Sequence, residues 1–257
     1  MRLIVRDLSK AYGLSWALKD LTFDLTAGDL IALLGSNGAG KTTVLKLLAG
    51  LVHATSGKIV FDGKPGLRGE SGERSIVGFL TPGEHLYDNL TARENLKFFT
   101  ALYDRNCSAS EIDSALSDVG LARRANEYVA ALSSGMKCRL SIAKWKLLDP
   151  VLMLLDEPYG VLDASGVELL ENFLCDHCAK GRIVIIASHH LERVLAISSR
   201  AIVLNQGKMI SDQRRQQSWE SFKTAVNDCL RMDPNGGIDK QREGKNGRQG
   251  PAPSLLV

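Results

Sequence analysis

The residues from Gly35 to Thr42, "GSNGAGKT", have the spacing G-x-x-x-x-G-K-[ST]. Each residue type there has a chemical use. Gly35, Gly38 and Gly40 let backbone N–H groups, including those of Ser36, Asn37 and Ala39, turn inward and cradle phosphate oxygens. Lys41 reaches the β- and γ-phosphates, and Thr42, followed by Thr43, offers a hydroxyl to Mg²⁺. The helix that follows points its positive end at the anion. The pattern reads as an ATP or GTP site. A second group of chemical residues ends the run "VLMLLDEP". There Asp156 would hold Mg²⁺, directly or through water. Glu157 would orient or deprotonate an attacking water. Alone, this run could be a strand that ends in a polar turn. Beside a phosphate loop, the chemical reading prevails.

The elements that position these residues follow from apolar spacing. "LIALL" precedes the loop and "KTTVLKLLAG" follows it, giving a strand, a loop and a helix that ends near Gly50. "VLMLLD" and "RIVIIAS" are apolar throughout, as expected of parallel strands covered on both faces. Residues 1–34 alternate in places, with turns at Gly13 and Ala27-Gly28. "GKIVFDGKP" reads as a strand entering an Asp62-Gly63 turn. Residues Thr91 to about Lys146 are mostly helical, and "RAIVLNQGKMI" reads as a closing hairpin. Strands, a helical insertion and strands again predict an α/β core with a helical subdomain spliced in.

Composition excludes other classes. The 257 residues are 44% hydrophobic and 24% charged, ordinary for a globular chain. A net charge of +3 is too small to indicate nucleic acid as a partner, and none is expected. No apolar run approaches the ~20 residues that cross a bilayer. The start, "MRLIVRDLSKAYG", carries charges where a signal peptide needs an apolar core, so a cytoplasmic location is expected. The five cysteines are scattered; "CDHC", Cys175 to Cys178, has metal-ligand spacing. It lies inside an amphipathic helix with Leu169, Leu170, Phe173 and Leu174 inward, and one such pair is weak evidence for zinc. In "SWESFKTAVNDCL", Trp219, Phe222, Val226 and Cys229 recur at helical spacing. The glycine-rich polar segment beyond it is expected to be a disordered tail.

"LSSGMKCRLSIAK", starting at Leu132, separates this chain from other phosphate-loop families. It resembles the LSGGQ signature of ATP-binding cassette (ABC) proteins. Ser133 and Gly135 match, whereas Ser134 and Met136 depart from the pattern. The resemblance extends over residues 1 to about 210. Tyr12 matches the aromatic that stacks on adenine, with a core tyrosine as its rival. "GVLD", ending at Asp163, resembles the D-loop. "IIASHHLE" resembles the switch region, which implies that His189 contacts the γ-phosphate; His190 stands where the family often has Asp. The implied fold is a RecA-like P-loop NTPase core of ABC type. It has an N-terminal antiparallel β-subdomain and a helical subdomain at about residues 88–147. Residues 1–210 would form the cassette and 211–257 a C-terminal extension.

The resemblance also implies a mechanism. Two cassettes dimerise head to tail, as homodimer or heterodimer, with ATP and Mg²⁺ held between the loop of one and Ser133, Gly135 and Asp163 of the other. Catalysis falls to Glu157 and His189, and Mg²⁺ to Thr42 and Asp156. Closure pushes on a membrane-spanning permease, which places the chain on the inner face of the cell membrane. "LYDNLTARENLKFF", "DEPYGVLD" and "HHLERVLAISSRAIVLNQGK" are similar in style to exporter ATPases, especially the haem exporters of cytochrome c maturation. Sodium-, drug- and polysaccharide-type exporters, and a catalytically weak regulatory cassette, are the alternatives. Lys41 and Ser133 lie 92 positions apart with no sustained heptads, which argues against a coiled-coil DNA-repair relative. A single cassette argues against a ribosome-binding factor. In "GFLTPGEHLY", Pro82 takes the place of the family's usual glutamine. Glu84, His85 or a backbone carbonyl is expected to serve near the metal instead, and the stretch is expected to dock the permease.

Overall fold

Two long strands open the chain, and their alternation slips at one matched place. β1 (Arg2–Tyr12) buries Leu3, Val5 and Leu8, and β2 (Ser15–Thr26) buries Leu18, Leu21, Phe23 and Leu25. The three-residue steps Val5 to Leu8 and Leu18 to Leu21 are accommodated by Asp7 and Asp20, both at positive φ (49° and 51°). The β1–β2 register shifts between Val5 and Leu8 and again beyond it, as a bulge requires. Side chains hold the irregularity: the Asp7 N–H donates to Thr22 Oγ1 at 2.9 Å, and the Ser9 hydroxyl donates to Asp20 Oδ1 at 3.1 Å. The computed structural model describes residues 1–62, 64–65, 77–81, 86–216 and 218–231.

With β4 (Ser56–Phe61) and the short β5 (Lys64–Pro65), these strands make an antiparallel sheet in the order β2-β1-β4-β5. A second sheet contains β3 (Leu30–Leu34), β6 (Val77–Leu80), β7 (Leu152–Asp156), β8 (Ile183–Ala187), β9 (Arg200–Asn205) and β10 (Lys208–Arg214). Its order is β10-β9-β3-β8-β7-β6, parallel except for β10 at the edge. The expected closing hairpin is β9–β10, turned by Gln206 and Gly207, both at positive φ.

The period of two sorts the central strands onto two faces. Ile31, Leu33, Leu154, Ile185 and Ile202 join the core under the antiparallel sheet and α1 (Lys41–Leu48). Leu30, Ala32, Leu155, Ile186 and Val203 join the core under the other helices. These strands are apolar along their middles because both faces are covered.

Between β6 and β7 the chain inserts α2 (Ala92–Leu102), α3 (Ala109–Asp118) and α4 (Ser134–Leu148). α2 and α3 each begin with a full capping box, Thr91 with Glu94 and Ser108 with Glu111. α4 packs against both, and against α5 (Ala164–Ala179). Covered on most sides, it buries Cys138, Leu140, Ile142, Ala143, Trp145 and Leu148. On α5, Leu170, Phe173 and Leu174 are buried as expected, whereas Leu169 is only half-buried, at the edge of the core. The inward face includes His177 instead, one turn beyond Phe173.

α6 (Leu191–Ile197) follows β8, and α7 (Trp219–Arg231) lies against β9 and β10 through Phe222 and Val226. No helix among the described residues is long and apolar enough to cross a membrane. The expected tail, Gly63, and Pro82, Glu84 and His85 lie outside the described residues.

Candidate functional site

The phosphate loop leaves the end of β3 and enters α1, and at Gly35 and Gly40 neighbouring atoms fill the space a side chain would need. A Cβ on Gly35 (φ 146°) would lie 2.3 Å from the Leu204 carbonyl oxygen. One on Gly40 (φ 104°) would lie 2.8 Å from the Ala17 carbonyl oxygen and 2.5 Å from Leu18 Cδ2. Both positions are closed to any side chain. The β9–β10 turn supports the loop from behind: the Gly207 N–H donates to the Ala39 carbonyl at 3.1 Å, and the Lys19 N–H donates to the Gly207 carbonyl at 2.8 Å.

Lys41 arches back over the loop. Its Nζ donates to the Gly35 carbonyl at 2.8 Å and the Ser36 carbonyl at 3.1 Å. Burial lowers its pKa from the ordinary lysine value, and the charges of Glu157 and Asp156 work against that shift. Thr42 Oγ1 donates to Asp156 Oδ2 at 2.7 Å. One cleft is lined by Ala17, Asn37 to Thr43, Asp156 and Glu157. Strand β7 thus delivers its terminal carboxylates to the loop, as the sequence implied. Ala17 is a wall residue that the sequence reading missed, since nothing local in the sequence places β2 beside Gly40.

Glu157 has a left-handed backbone (φ 50°), uncommon for a residue with a long side chain. Such conformations cost energy and persist where the surroundings impose them. Here the Glu157 N–H donates to the Ala187 carbonyl at 2.8 Å, continuing the β7–β8 ladder past Asp156. His189, just beyond β8, meets the carboxylate twice. Its Nδ1 is 2.8 Å from Glu157 Oε2, and its backbone N–H donates to the same oxygen at 3.1 Å. The two predicted catalytic residues therefore stand together. His189 stacks on His190 with centroids 4.2 Å apart, and His190 meets the edge of the buried Tyr159.

A second group gathers at the start of α4. Ser133 is its N-cap, with Oγ accepting from the Met136 N–H at 3.3 Å. A Cβ on Gly135 would lie 3.1 Å from the Val161 carbonyl oxygen, so this turn abuts the loop that carries Asp163. Asp163 caps α5 by accepting from the Gly166 N–H at 2.8 Å. Arg139, absent from the sequence reading, joins the two: its Nη2 is 2.9 Å from Asp163 Oδ1 and 2.7 Å from Ser165 Oγ. The hydrogen bond from Arg139, then that from Gly166, hold the Asp163 carboxyl below its usual range. Nothing local in the sequence pairs positions 139 and 163. The sequence brought Ser133, Gly135 and Asp163 to the same reading, and the fold places them in one cluster, separate in composition from the loop cluster.

Tyr12 lies at the end of β1, about half exposed, with Lys10 Nζ 4.9 Å from its ring centroid. It is not among the residues lining the cleft. A buried core tyrosine, its rival reading, does not match that exposure. Cys178 donates to the Asp29 carbonyl at 3.8 Å and burial pushes its thiol up to about 12, so it stays protonated at neutral pH. Cys175 points outward.

The donor set suits the ligands that the sequence implied. Thr42 and Asp156 are hard oxygen donors side by side, as Mg²⁺ requires. Among the described residues, no group of three or more His, Cys, Asp or Glu is placed to hold a metal ion. Such a cation would complete its shell with phosphate oxygens and water.

Comparison with known proteins agrees with this geometry. The ABC transporter family model matches residues 18–160. The sulfate/thiosulfate import ATP-binding protein CysA of Escherichia coli K12 is 32% identical over 231 residues, covering 87% of this chain; the chain spans 63% of that relative's length. The cytochrome c biogenesis ATP-binding export protein CcmA of Pseudomonas putida is 40% identical over 181 residues, covering 69% of this chain and 86% of the relative. A solved ATP-binding subunit of an ABC transporter superposes with a TM-score of 0.75 at 27% identity, over 88% of this chain and all of the other. The dimeric cassette MJ0796, bound to ADP and Pi, has the same fold, with a TM-score of 0.73 at 22% identity over 84% of this chain and all of the other. This chain belongs to the ABC transporter family.

Proposed function

We propose that this chain hydrolyses ATP to power transport through a separate membrane-spanning subunit, acting in a pair of cassettes. The observation that carries the reading is the meeting of Lys41, Thr42, Asp156, Glu157 and His189 at one edge of a parallel sheet. Lys41 and the amides of residues 35–43 hold the phosphates. Thr42 and Asp156 would hold Mg²⁺, which when bound neutralises charge on the β- and γ-phosphates. Glu157 accepts a proton from, or aligns, the attacking water. His189 meets the Glu157 carboxylate through both Nδ1 and its amide. Turning His189 toward a γ-phosphate frees Glu157 for water, so substrate arrival arms the base. Ser133, Gly135 and Asp163 face the nucleotide of a second cassette. The regulatory-cassette alternative predicts ATP binding without turnover. Steady-state phosphate release, measured with the membrane partner present, decides between them; none above background overturns the proposal.

The membrane partner is proposed to dock beside the loop after β6, with this chain peripheral on the inner face of the cell membrane. Asn95 is fully buried and ties that loop down: its Nδ2 donates to the Tyr87 and Thr91 carbonyls at 2.9 and 3.0 Å, and its Oδ1 accepts from the Tyr87 N–H at 2.8 Å. Tyr87, Phe98 and Leu102 are left exposed around it, with the Tyr87 and Phe98 rings 4.8 Å apart. Large exposed apolar groups clustered on one surface suit a protein partner. Haem export for cytochrome c biogenesis is the cargo reading we favour, on the resemblance to haem-exporter ATPases and the 40% identity to CcmA. Its test is stimulation of ATP turnover by haem in the reconstituted complex. Stimulation by sulfate instead would favour import, the direction named for the 32% identical relative.

A further inference from the structure

Arg139 sits one turn along α4 from Gly135, on the face that meets the segment 157–163. Two contacts join these elements. Gly135 abuts the Val161 carbonyl, and Arg139 spans Asp163 and Ser165. Ser165 Oγ also donates to Asp163 Oδ2 at 3.2 Å, closing a ring of three side chains. On its other side, Arg139 Nη1 donates to the Val119 carbonyl at 3.4 Å, at the end of α3. The Asp163 carboxylate is exposed, while the Arg139 side chain is only 20% exposed. The guanidinium is therefore held within the helical layer, and the carboxylate it grips lies at the surface.

Only five residues, Val161 among them, separate Glu157 from Asp163. Whatever displaces Ser133 at the head of α4 displaces Arg139 with it, since both ride on one helix. Arg139 then moves Asp163, and the short segment carries that displacement to Glu157. We propose that Arg139 is a positioning residue that locks the signature helix to the D-loop of its own chain, so that closure of Ser133 over the partner's nucleotide is felt at Glu157. This rests on the two-cassette reading above.

The test uses full-length chain carrying Glu157→Gln, with ATP-driven dimerisation measured by analytical ultracentrifugation. Affinity for a fluorescent ATP analogue is measured in parallel on the monomer. Adding Arg139→Ala is expected to weaken dimerisation about tenfold or more, the worth of a lost charge-assisted pair, with monomer nucleotide affinity unchanged. In chain that retains Glu157, the same substitution is expected to bring the Hill coefficient for ATP hydrolysis toward one. Arg139→Lys keeps the charge but not the fork, and is expected to fall between. It also serves if the alanine variant fails to fold. With Asp163→Asn already present, Arg139→Ala should add little further loss. A Glu157→Gln parent that does not dimerise with ATP refutes the two-cassette reading, and the inference with it. A parent that dimerises while Arg139→Ala and Arg139→Lys match it, in dimerisation and in Hill coefficient, overturns the inference alone.

Discussion

The loop cluster and the signature cluster bind the same kind of anion on the proposed mechanism, yet they are built in opposite ways. The loop cluster is enclosed. Lys41 is 9% exposed, and Gly35 and Gly40 are locked by backbone from β9 and β2. Its geometry is set by packing against neighbouring strands, so its binding energy is not consumed in ordering the chain. The signature cluster is open. Ser133 and Asp163 are exposed, and both already serve as helix caps. Its ion pair lies at the surface, where such pairs are worth little by themselves. A site of that kind gains strength only when a second surface excludes water from it. The contrast teaches that affinity belongs to the enclosed half and control to the open half.

Substitutions can test that division. Lys41→Ala should weaken ATP binding the most, on the order of 100-fold, because it removes the cation over the loop; equilibrium fluorescence titration checks this, and unchanged affinity would break the comparison at its base. Glu157→Gln should leave ATP affinity intact and lower turnover by about 10²- to 10⁴-fold, the range for losing a general base; phosphate-release kinetics on the assembled transporter measure it. Ser133→Ala should spare monomer binding and reduce turnover roughly tenfold, through one lost hydrogen bond to a charged group. If Ser133→Ala instead lowers monomer affinity, the open half is not a site for a partner's nucleotide.

The smallest effect comes from the opposite end of β7 and serves as a control. There His177 is buried, with Nε2 2.7 Å from the Pro150 carbonyl and Nδ1 3.7 Å from Asp149 Oδ1. Arg182 Nη2 also meets Asp149, at 2.5 Å. Burial lowers the His177 pKa, and the Pro150 carbonyl and Asp149 only partly oppose it. A histidine with a folded pKa below its unfolded value costs stability as pH falls, because the unfolded chain takes up the proton first. The melting temperature should therefore drop as pH falls below about 6.5 toward the lowered value. His177→Gln should flatten that slope. Nucleotide affinity of the wild-type chain over the same range should track the loop cluster and not this histidine.

How much of this was legible in the sequence varies with the distance over which each feature is encoded. Gly35–Thr42 and Val151–Glu157 are contiguous, and each carries its own strand, turn or helix, so both their elements and their meeting at the sheet edge could be read directly. The hairpin at Gln206-Gly207 and the helix over Trp219–Arg231 likewise declare themselves by turn residues and period. The Arg139–Asp163 pair could not be read, because it depends on how a helix inserted after β6 settles against a loop after β7. The same holds for Ala17, which lines the cleft only because β2 crosses behind Gly40. The left-handed backbone of Glu157 is imposed by the neighbouring strand through Ala187, and no residue preference announces it. His177 sits on the inward face of α5 because the Pro150 carbonyl and Asp149 give its ring partners there, and both belong to a loop that the helix's own sequence does not contain.

The Gly207 contact has a consequence for cutting or splitting this chain. The stretch matched by the family model ends at residue 160, yet the phosphate loop rests on a turn 47 residues further on. A fragment trimmed to that stretch would keep the phosphate loop with Asp156 and Glu157, yet lose the support beneath Gly35 and Ala39. The same turn, which resembles an inviting surface hairpin for a tag or reporter insertion, would transmit any insertion straight into the loop backbone. A circular permutant opened at the β1–β2 turn beside Gly13, where a Cβ meets nothing within 4 Å, leaves that support whole.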